Sequence, residues 1–370
     1  MTVEDKFIYL LQIAIGHKYT LPNALTNEEW KEVYAIAARQ TVIGVCLAAI
    51  EKLPKSQRPP DHIFWEWIGQ ATQIQFRNEY LNKSCHEIQK KLNDNGFKTC
   101  ILKGQGIATY YGSIADFRQA GDIDIWVAGG MKDALTYARK LCGEIEYDYV
   151  NAHLPLIKGS EVELHWRIQA LTNPLRNHFF QKWVKANESE LLSETVTLGK
   201  DGNIIINVPS IKFNSIYILL HLYHHLMESG IGFRQVMDYY FVLLNNKGQD
   251  KEEWQRIVDK LGMKRFSEGV MWVMQYVFLL DDSCLMCMPS ENEGKFLLRE
   301  IISGGNFGKY DPRIKDVGLK GALYEKSRQV QHVINIGSRY PMEMIWTPYW
   351  LVFHWIWKKL YGLKIVFYGR

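Results

Sequence analysis

The apolar and polar positions divide the chain into a helical stretch, a stretch of strand alternation and a second helical stretch. Phe7, Leu10, Leu11 and Ile15 recur at helical spacing before Gly16, predicting a first helix over 4–15. Thr26 followed three residues later by Glu29 is a capping-box signature. The apolar positions from Trp30 to Leu53 then predict one long helix, or two broken near Gly44. Pro54, Pro59 and Pro60 mark a linker, Asp61 is placed to cap a helix reaching Asn95, and Gly96 ends it in left-handed conformation.

At Lys98 the period shortens to two. The run 98–102 predicts a strand, 105–111 has helix-forming character, and Ile123, Ile125 and Val127 alternate with polar neighbours in a second strand. Residues 131–142 predict a helix ended by Gly143, and 144–150 a further strand. Val162, Leu164 and Trp166 alternate with Glu161, Glu163 and His165, and the apolar end at Leu156-Ile157 with the turn Lys158-Gly159 makes this segment half of a hairpin. The order strand–helix–strand–helix–strand with a closing hairpin predicts an α+β fold whose small mixed sheet is covered by helices on one face. Residues 204–208 add a strand at its end, and helical periodicity returns from Ser210, with a strongly apolar helix over 216–227 and another opening at 230–238. The expected division is an N-terminal helical region, 1–95, a core, 96–209, and a C-terminal helical domain, 210–370, whose Gly304-Gly305-Asn306 loop reads as a connection.

Composition narrows the function. A chain of 370 residues with 47% hydrophobic and 23% charged side chains is globular and can bury a sizeable core. A net charge of +4 is far from the concentrated cationic surface of a protein that grips a nucleic-acid backbone, so a small-molecule or protein acceptor is favoured over DNA or RNA. The six scattered cysteines fit reduced thiols, and Cys284-Leu285-Met286-Cys287 has no second pair to complete a zinc site. No basic region followed by an apolar run opens the chain, which gives a cytoplasmic expectation. The apolar run 345–357 falls short of the roughly 20 residues of a spanning helix and is interrupted by Pro348. Its aromatic residues meeting Lys358 and Lys359 offer peripheral membrane contact over 345–359, although packing on the helical domain is the favoured reading.

The chemistry gathers in the strand region. Successive side chains of a strand point to opposite faces, so Asp122 and Asp124 lie side by side at about 7 Å, within reach of the same hard divalent cation. Asp-X-Asp alone is most often a solvated strand face. Here Lys103-Gly104-Gln105-Gly106 lies upstream, Arg118 precedes the strand, and a third carboxylate, Glu163, stands on a later strand of matching alternation. His221 and His225 share a helix face but lack the acidic partner of a metallohydrolase, which leaves core or substrate-facing histidines. Arg234 and Asp238, one turn apart, can pair, or Arg234 can face a phosphate.

The order Leu-Lys-Gly, helix, Arg118, Asp-Ile-Asp and then Glu-Leu-His-Trp over 163–166 resembles the bacterial nucleotidyltransferase family grouped with the DNA polymerase β-like superfamily. Better-known members carry Gly-Ser or Gly-Gly where this chain has Lys103-Gly104. The resemblance implies transfer of a nucleoside monophosphate from a nucleoside triphosphate to an acceptor hydroxyl, with release of pyrophosphate. Asp122, Asp124 and Glu163 would be the catalytic, metal-holding carboxylates for Mg²⁺ or Mn²⁺. Lys103, Gly104, Gln105 and Arg118 would bind the nucleotide, with His165 and Arg234 as acceptor or phosphate contacts. Two rivals remain: an inactive core of the same fold serving as a binding scaffold, and a glycosyltransferase using Asp-X-Asp on a sugar nucleotide. The single strand that precedes Asp122 argues against the glycosyltransferase.

Overall fold

The computed structural model describes residues 1–157, 160–199, 202–316, 318 and 320–368, and omits the side chains of 156, 157, 322, 323, 325, 326 and 361–368. Helices α1 (Val3–Ala14), α2 (Asn27–Arg39), α3 (Ile43–Lys52) and the long α4 (Asp61–Asp94) come first. Thr26 caps α2 through the reciprocal bonds its sequence predicted, the hydroxyl accepting from Glu29 N and the Glu29 carboxylate from Thr26 N. The break between α2 and α3 falls at Thr41, with φ +55°, and Gly44 lies inside α3 against the Phe117 carbonyl. Asp61 is the first residue of α4 rather than its cap; Pro60 precedes it, and Gly96 ends the helix at φ +86° as expected.

Strand β1 (Thr99–Leu102) leads through α5 (Gly104–Ala108) and a 3-10 stretch over Thr109–Phe117 to β2 (Ile123–Val127), then α6 (Met131–Cys142), β3 (Glu146–Tyr147), β4 (Asn151–Ile157) and β5 (Ser160–His165). The sheet order is β1-β2-β5-β4-β3, with β2 and β5 parallel and every other pair antiparallel. The expected strand over 144–150 is thus cut to two residues, and the longer strand follows it. Pro155 lies within β4, which accommodates it through a register shift between Leu154 and Ile157. Ile157 and Ser160 pair as a hairpin requires, while its turn at Lys158 and Gly159 lies outside the described residues. Residues 204–208 form β7 (Ile204–Val208), which pairs with β6 (Glu194–Leu198) in a separate two-stranded sheet instead of joining the larger one.

The sheet is covered on both faces, not one. Ile101, Ile123, Ile125 and Val127 pack with Leu81, Cys85 and Ile88 of α4 and Leu135 of α6. Cys100, Leu102 and Trp126, on the alternate side, join the large cluster built from the N-terminal and C-terminal helices. Those two helical regions pack on each other: Phe7 meets Phe233 with ring centroids 5.5 Å apart, and Gln12 Nε2 donates to the Val277 carbonyl. Beyond the core come α7 (Pro174–Ala186), α8 (Glu188–Leu191), α9 (Ile211–Glu228), α10 (Phe233–Asn245), α11 (Lys251–Lys260), α12 (Lys264–Phe278), α13 (Glu291–Gly304), α14 (Ala322–Gly337) and α15 (Pro341–Tyr368). Helix α15 continues through Pro348, where the sequence predicted an interruption. Its first turn is anchored by the buried Glu343, which accepts from Arg176, Thr172 and Tyr223.

Candidate active site

A cleft of about 640 Å³ lies between the polar edge of the large sheet and helices α9, α10 and α15. Its strand wall follows from two register facts. Asp124 shares the Cys100–Trp126 face of β1 and β2, so it points toward the helical domain, and parallel pairing sets it opposite Glu163 of β5. Asp122 stands just before β2, exposed, on the rim of the same cleft.

The buried charges of this wall answer one another. Lys103 Nζ lies 3.0 Å from Asp124 Oδ1, and His165 Nε2 lies 3.0 Å from that oxygen and 3.1 Å from Glu163 Oε2. Asn151 Nδ2 donates to Glu163 Oε2 at 2.6 Å. His165 Nδ1 lies 3.3 Å from the Arg167 carbonyl, which only accepts, so both ring nitrogens face acceptors and the imidazolium satisfies them. Burial opposes that charge, but the bonds to Asp124 and Glu163 outweigh it and raise the pKa to about 9. Burial likewise works against ionised Asp124, yet Lys103 and His165 hold its carboxyl well below the ordinary range. Asp122 differs: although its surface is exposed, partial desolvation at the cleft rim and the neighbouring Asp124 and Glu163 charges push it up. Lys103 itself adopts φ +51°, a strained conformation for a non-glycine residue that sets its side chain between β1 and the turn at Gly104.

The helical wall is organised differently. Arg118, 4% exposed, makes a two-pronged bond to Asp238, with Nε and a terminal nitrogen each 2.7 Å from a carboxylate oxygen, and Tyr111 donates to the same carboxylate at 2.6 Å. The partner of Asp238 is therefore Arg118 from before β2, not the helical neighbour Arg234. Arg234 instead donates to the Gln119 carbonyl at 3.2 Å and lies along Gly121, where an added Cβ would come within 3.1 Å of it. Arg118 Nη1 and Arg234 Nε are buried without a hydrogen-bond partner among the described residues. Burial and the adjacent Arg118 charge pull the Arg234 pKa down. Two close guanidiniums with open donors make an anion-seeking surface.

His221 and His225 join this wall, their Nε2 atoms 3.0 Å apart and both Nδ1 atoms buried without partners among the described residues. Burial lowers both pKa values, that of His225 to about 3, so the pair is neutral. Gln105 is absent from the cleft lining and donates to Asn82 of α4. Sequence reasoning missed Asn151 and His153, although Ala152 and Leu154 alternate with them, and Asn306 and Phe307, whose loop reaches the cleft. The signal there was the glycines: a Cβ on Gly308 would strike the Ser229 carbonyl at 1.8 Å, so the loop fits tightly against the end of α9.

The donor set suits a hard divalent cation. The ligand carboxylates of Asp124 and Glu163 lie within 4.8 Å of one another and of His165, which could ligate only after losing its proton, and the ligand atoms of His153, Glu161 and Glu163 are likewise gathered; Asp122 belongs to neither group. The sequence profile of a family described as uncharacterised nucleotidyltransferase matches residues 26–278, which include both walls except the Asn306 loop, α14 and α15. The chain belongs to this family. No curated protein matches it. Among solved structures, an antigenic nucleotidyltransferase-like protein from Paracoccidioides brasiliensis aligns at 14% identity over 57% of this chain and 95% of that one, with a TM-score of 0.32, too low to carry an argument. In this member of the family no described helix is long and apolar enough to cross a membrane.

Proposed function

We propose that the cleft transfers a nucleoside monophosphate from a nucleoside triphosphate to a hydroxyl of a small molecule or protein, with pyrophosphate leaving. One observation carries this reading: paired carboxylates on one wall face two guanidiniums with open donors on the other. The reaction builds negative charge on the transferring phosphoryl group and on the entering and leaving oxygens, so catalysis is mainly positioning and charge stabilisation. Arg118 and Arg234 hold and orient the triphosphate through donors left free by Asp238 and Gln119. Lys103 adds a positive charge beside Gly104, where the missing side chain leaves room for phosphate oxygens. Asp124 and Glu163, whose ligand atoms lie close together, would hold Mg²⁺ or Mn²⁺, with Asp122 joining them from the cleft rim, and a divalent cation bound there would polarise phosphoryl oxygens and lower the pKa of an acceptor hydroxyl. His165 keeps the Asp124 and Glu163 carboxylates ionised and aligned before substrate arrives. The neutral His221–His225 pair offers the acceptor a donor and an acceptor without adding charge.

The saturation of Asp124 and Glu163 by Lys103 and His165 also favours a second reading, a nucleotide-binding scaffold that performs no transfer. The two separate in one experiment: incubation with each α-³²P-labelled nucleoside triphosphate and Mg²⁺ or Mn²⁺, with and without cell extract. Label transferred to an acceptor and lost in the Asp122→Asn/Asp124→Asn variant supports the enzyme. Triphosphate binding without transfer supports the scaffold, and absence of binding sinks both.

A further inference from the structure

Helix α15 presents two opposed faces. The inner one carries Glu343, Thr347, Trp350 and His354; Trp350 packs edge-on against Tyr149 with centroids 5.6 Å apart, and Thr347, Trp350 and His354 line the cleft. The outer one carries Ile345, Tyr349, Val352, Ile356 and Leu360, spaced three or four residues apart, with Trp355 beside them, and each is 43–65% exposed. A fixed helix with one anchored face thus holds a continuous apolar stripe toward solvent. On α14, which packs against α15, Val330 and Ile334 are also exposed. Such a stripe marks an interaction surface.

We propose that this outer face docks on the surface of an anionic lipid bilayer. Charge selects that occupant. No Asp or Glu occurs from Met344 to Arg370, a stretch that contains Lys358, Lys359, Lys364 and Arg370, and Lys358 and Lys359 are exposed. A second copy of the chain would bring the same cations with no carboxylate on the outer face of the helix to answer them, since Glu343 is buried on the inner face, whereas anionic headgroups complement them. Trp355 and Tyr349 carry an apolar ring with one polar atom, the chemistry that settles at the headgroup level. A helix anchored along one face and apolar along the other would dock lying in the interface plane. Docking stands apart from the nucleotidyl-transfer reading. Taken with it, docking brings the cleft, roofed by the inner face of the same helix, close to hydroxyls carried at the bilayer surface.

The test is sedimentation of the purified full chain with large vesicles of phosphatidylcholine alone or mixed with phosphatidylglycerol. The expected result is binding at least about tenfold tighter to the anionic vesicles, weakened by added salt. Val352→Asp/Ile356→Asp should lose about tenfold or more on those vesicles while keeping the far-ultraviolet circular dichroism of the parent. Lys358→Glu/Lys359→Glu, which alters only exposed side chains, should lose about tenfold on anionic vesicles and change little on phosphatidylcholine. Failure of the parent to sediment with either vesicle overturns the proposal, as does unchanged binding of the lysine variant. A dimer seen by light scattering that Val352→Asp/Ile356→Asp converts to monomer, with no vesicle binding by the parent, gives the face to a second copy instead.

Discussion

The two walls of the cleft hold charges in opposite states. On the strand wall Lys103, Asp124, Glu163 and His165 form a closed set, each buried charge meeting an opposite one within about 3 Å. On the helical wall Arg118 is only partly answered by Asp238, and Arg234 meets nothing stronger than a carbonyl, so donors stay open. A closed set can be built in advance and kept without a ligand, because each desolvated charge is compensated. An open set keeps an unmet desolvation cost that an anionic ligand would relieve. The asymmetry teaches which wall is preformed machinery and which is the receptor for the triphosphate.

The hardest blow to this contrast falls on the strand wall. Asp122→Asn/Asp124→Asn should lower nucleotidyl transfer about a thousandfold or more while triphosphate still binds through the other wall, checked by labelled-nucleotide turnover beside equilibrium binding. Arg118→Ala leaves the Asp238 charge buried with only the Tyr111 hydroxyl to answer it, and should cost about 3–5 kcal/mol in denaturant unfolding. Arg234→Ala breaks only a bond to a carbonyl. It should leave stability nearly unchanged yet weaken triphosphate binding roughly 10–100-fold by calorimetry, and equal loss of stability in the two arginine variants would erase the distinction drawn here.

Acid and alkali probe the walls separately. His165 has its pKa raised to about 9 in the folded chain, so its stabilisation of the cation-free protein is complete below the ordinary histidine value and is lost as pH rises through 9. His225 is lowered to about 3 and His221 shifts the same way, so their contribution is present above the ordinary value and fades as pH falls from there toward 3. Melting temperature against pH should therefore fall on both sides. His221→Asn should flatten the acid limb and His165→Gln the alkaline one. The smallest effect is expected from Gln105→Ala, which loses the bond to Asn82: about 1 kcal/mol of stability, with triphosphate affinity unchanged.

Local pattern determined much of this by itself. The period-two runs at 123–127 and 160–166, the capping box at Thr26 and the glycine stops at Gly96 and Gly143 are short-range signals, set by backbone geometry within a few residues. They placed Asp124 and Glu163 on strands and the helices around them, while Asp122, expected on the same strand, falls just before β2 begins at Ile123. What they could not carry is pairing between distant segments. That Asp124 lies opposite Glu163 depends on β2 and β5 being parallel neighbours, and that His165 bonds both depends on the same register. Asp238 took Arg118 over the nearer Arg234 because its carboxylate could be met by a rigid two-pronged partner arriving from another element. Gln105 looked like a phosphate contact from its place in a glycine turn and was turned to Asn82 by the packing of α4. The roof of the cleft by α15 was equally invisible, since Pro348 reads as a break until Glu343 and the Tyr149 contacts fix the helix on either side of it. Sequence thus supplied the chemical groups and the strands that bear them; only tertiary structure chose which charges would meet and which would be left open, because that choice is made by groups on separate elements, His165 and Asp124 lying 41 positions apart and Arg118 and Asp238 120.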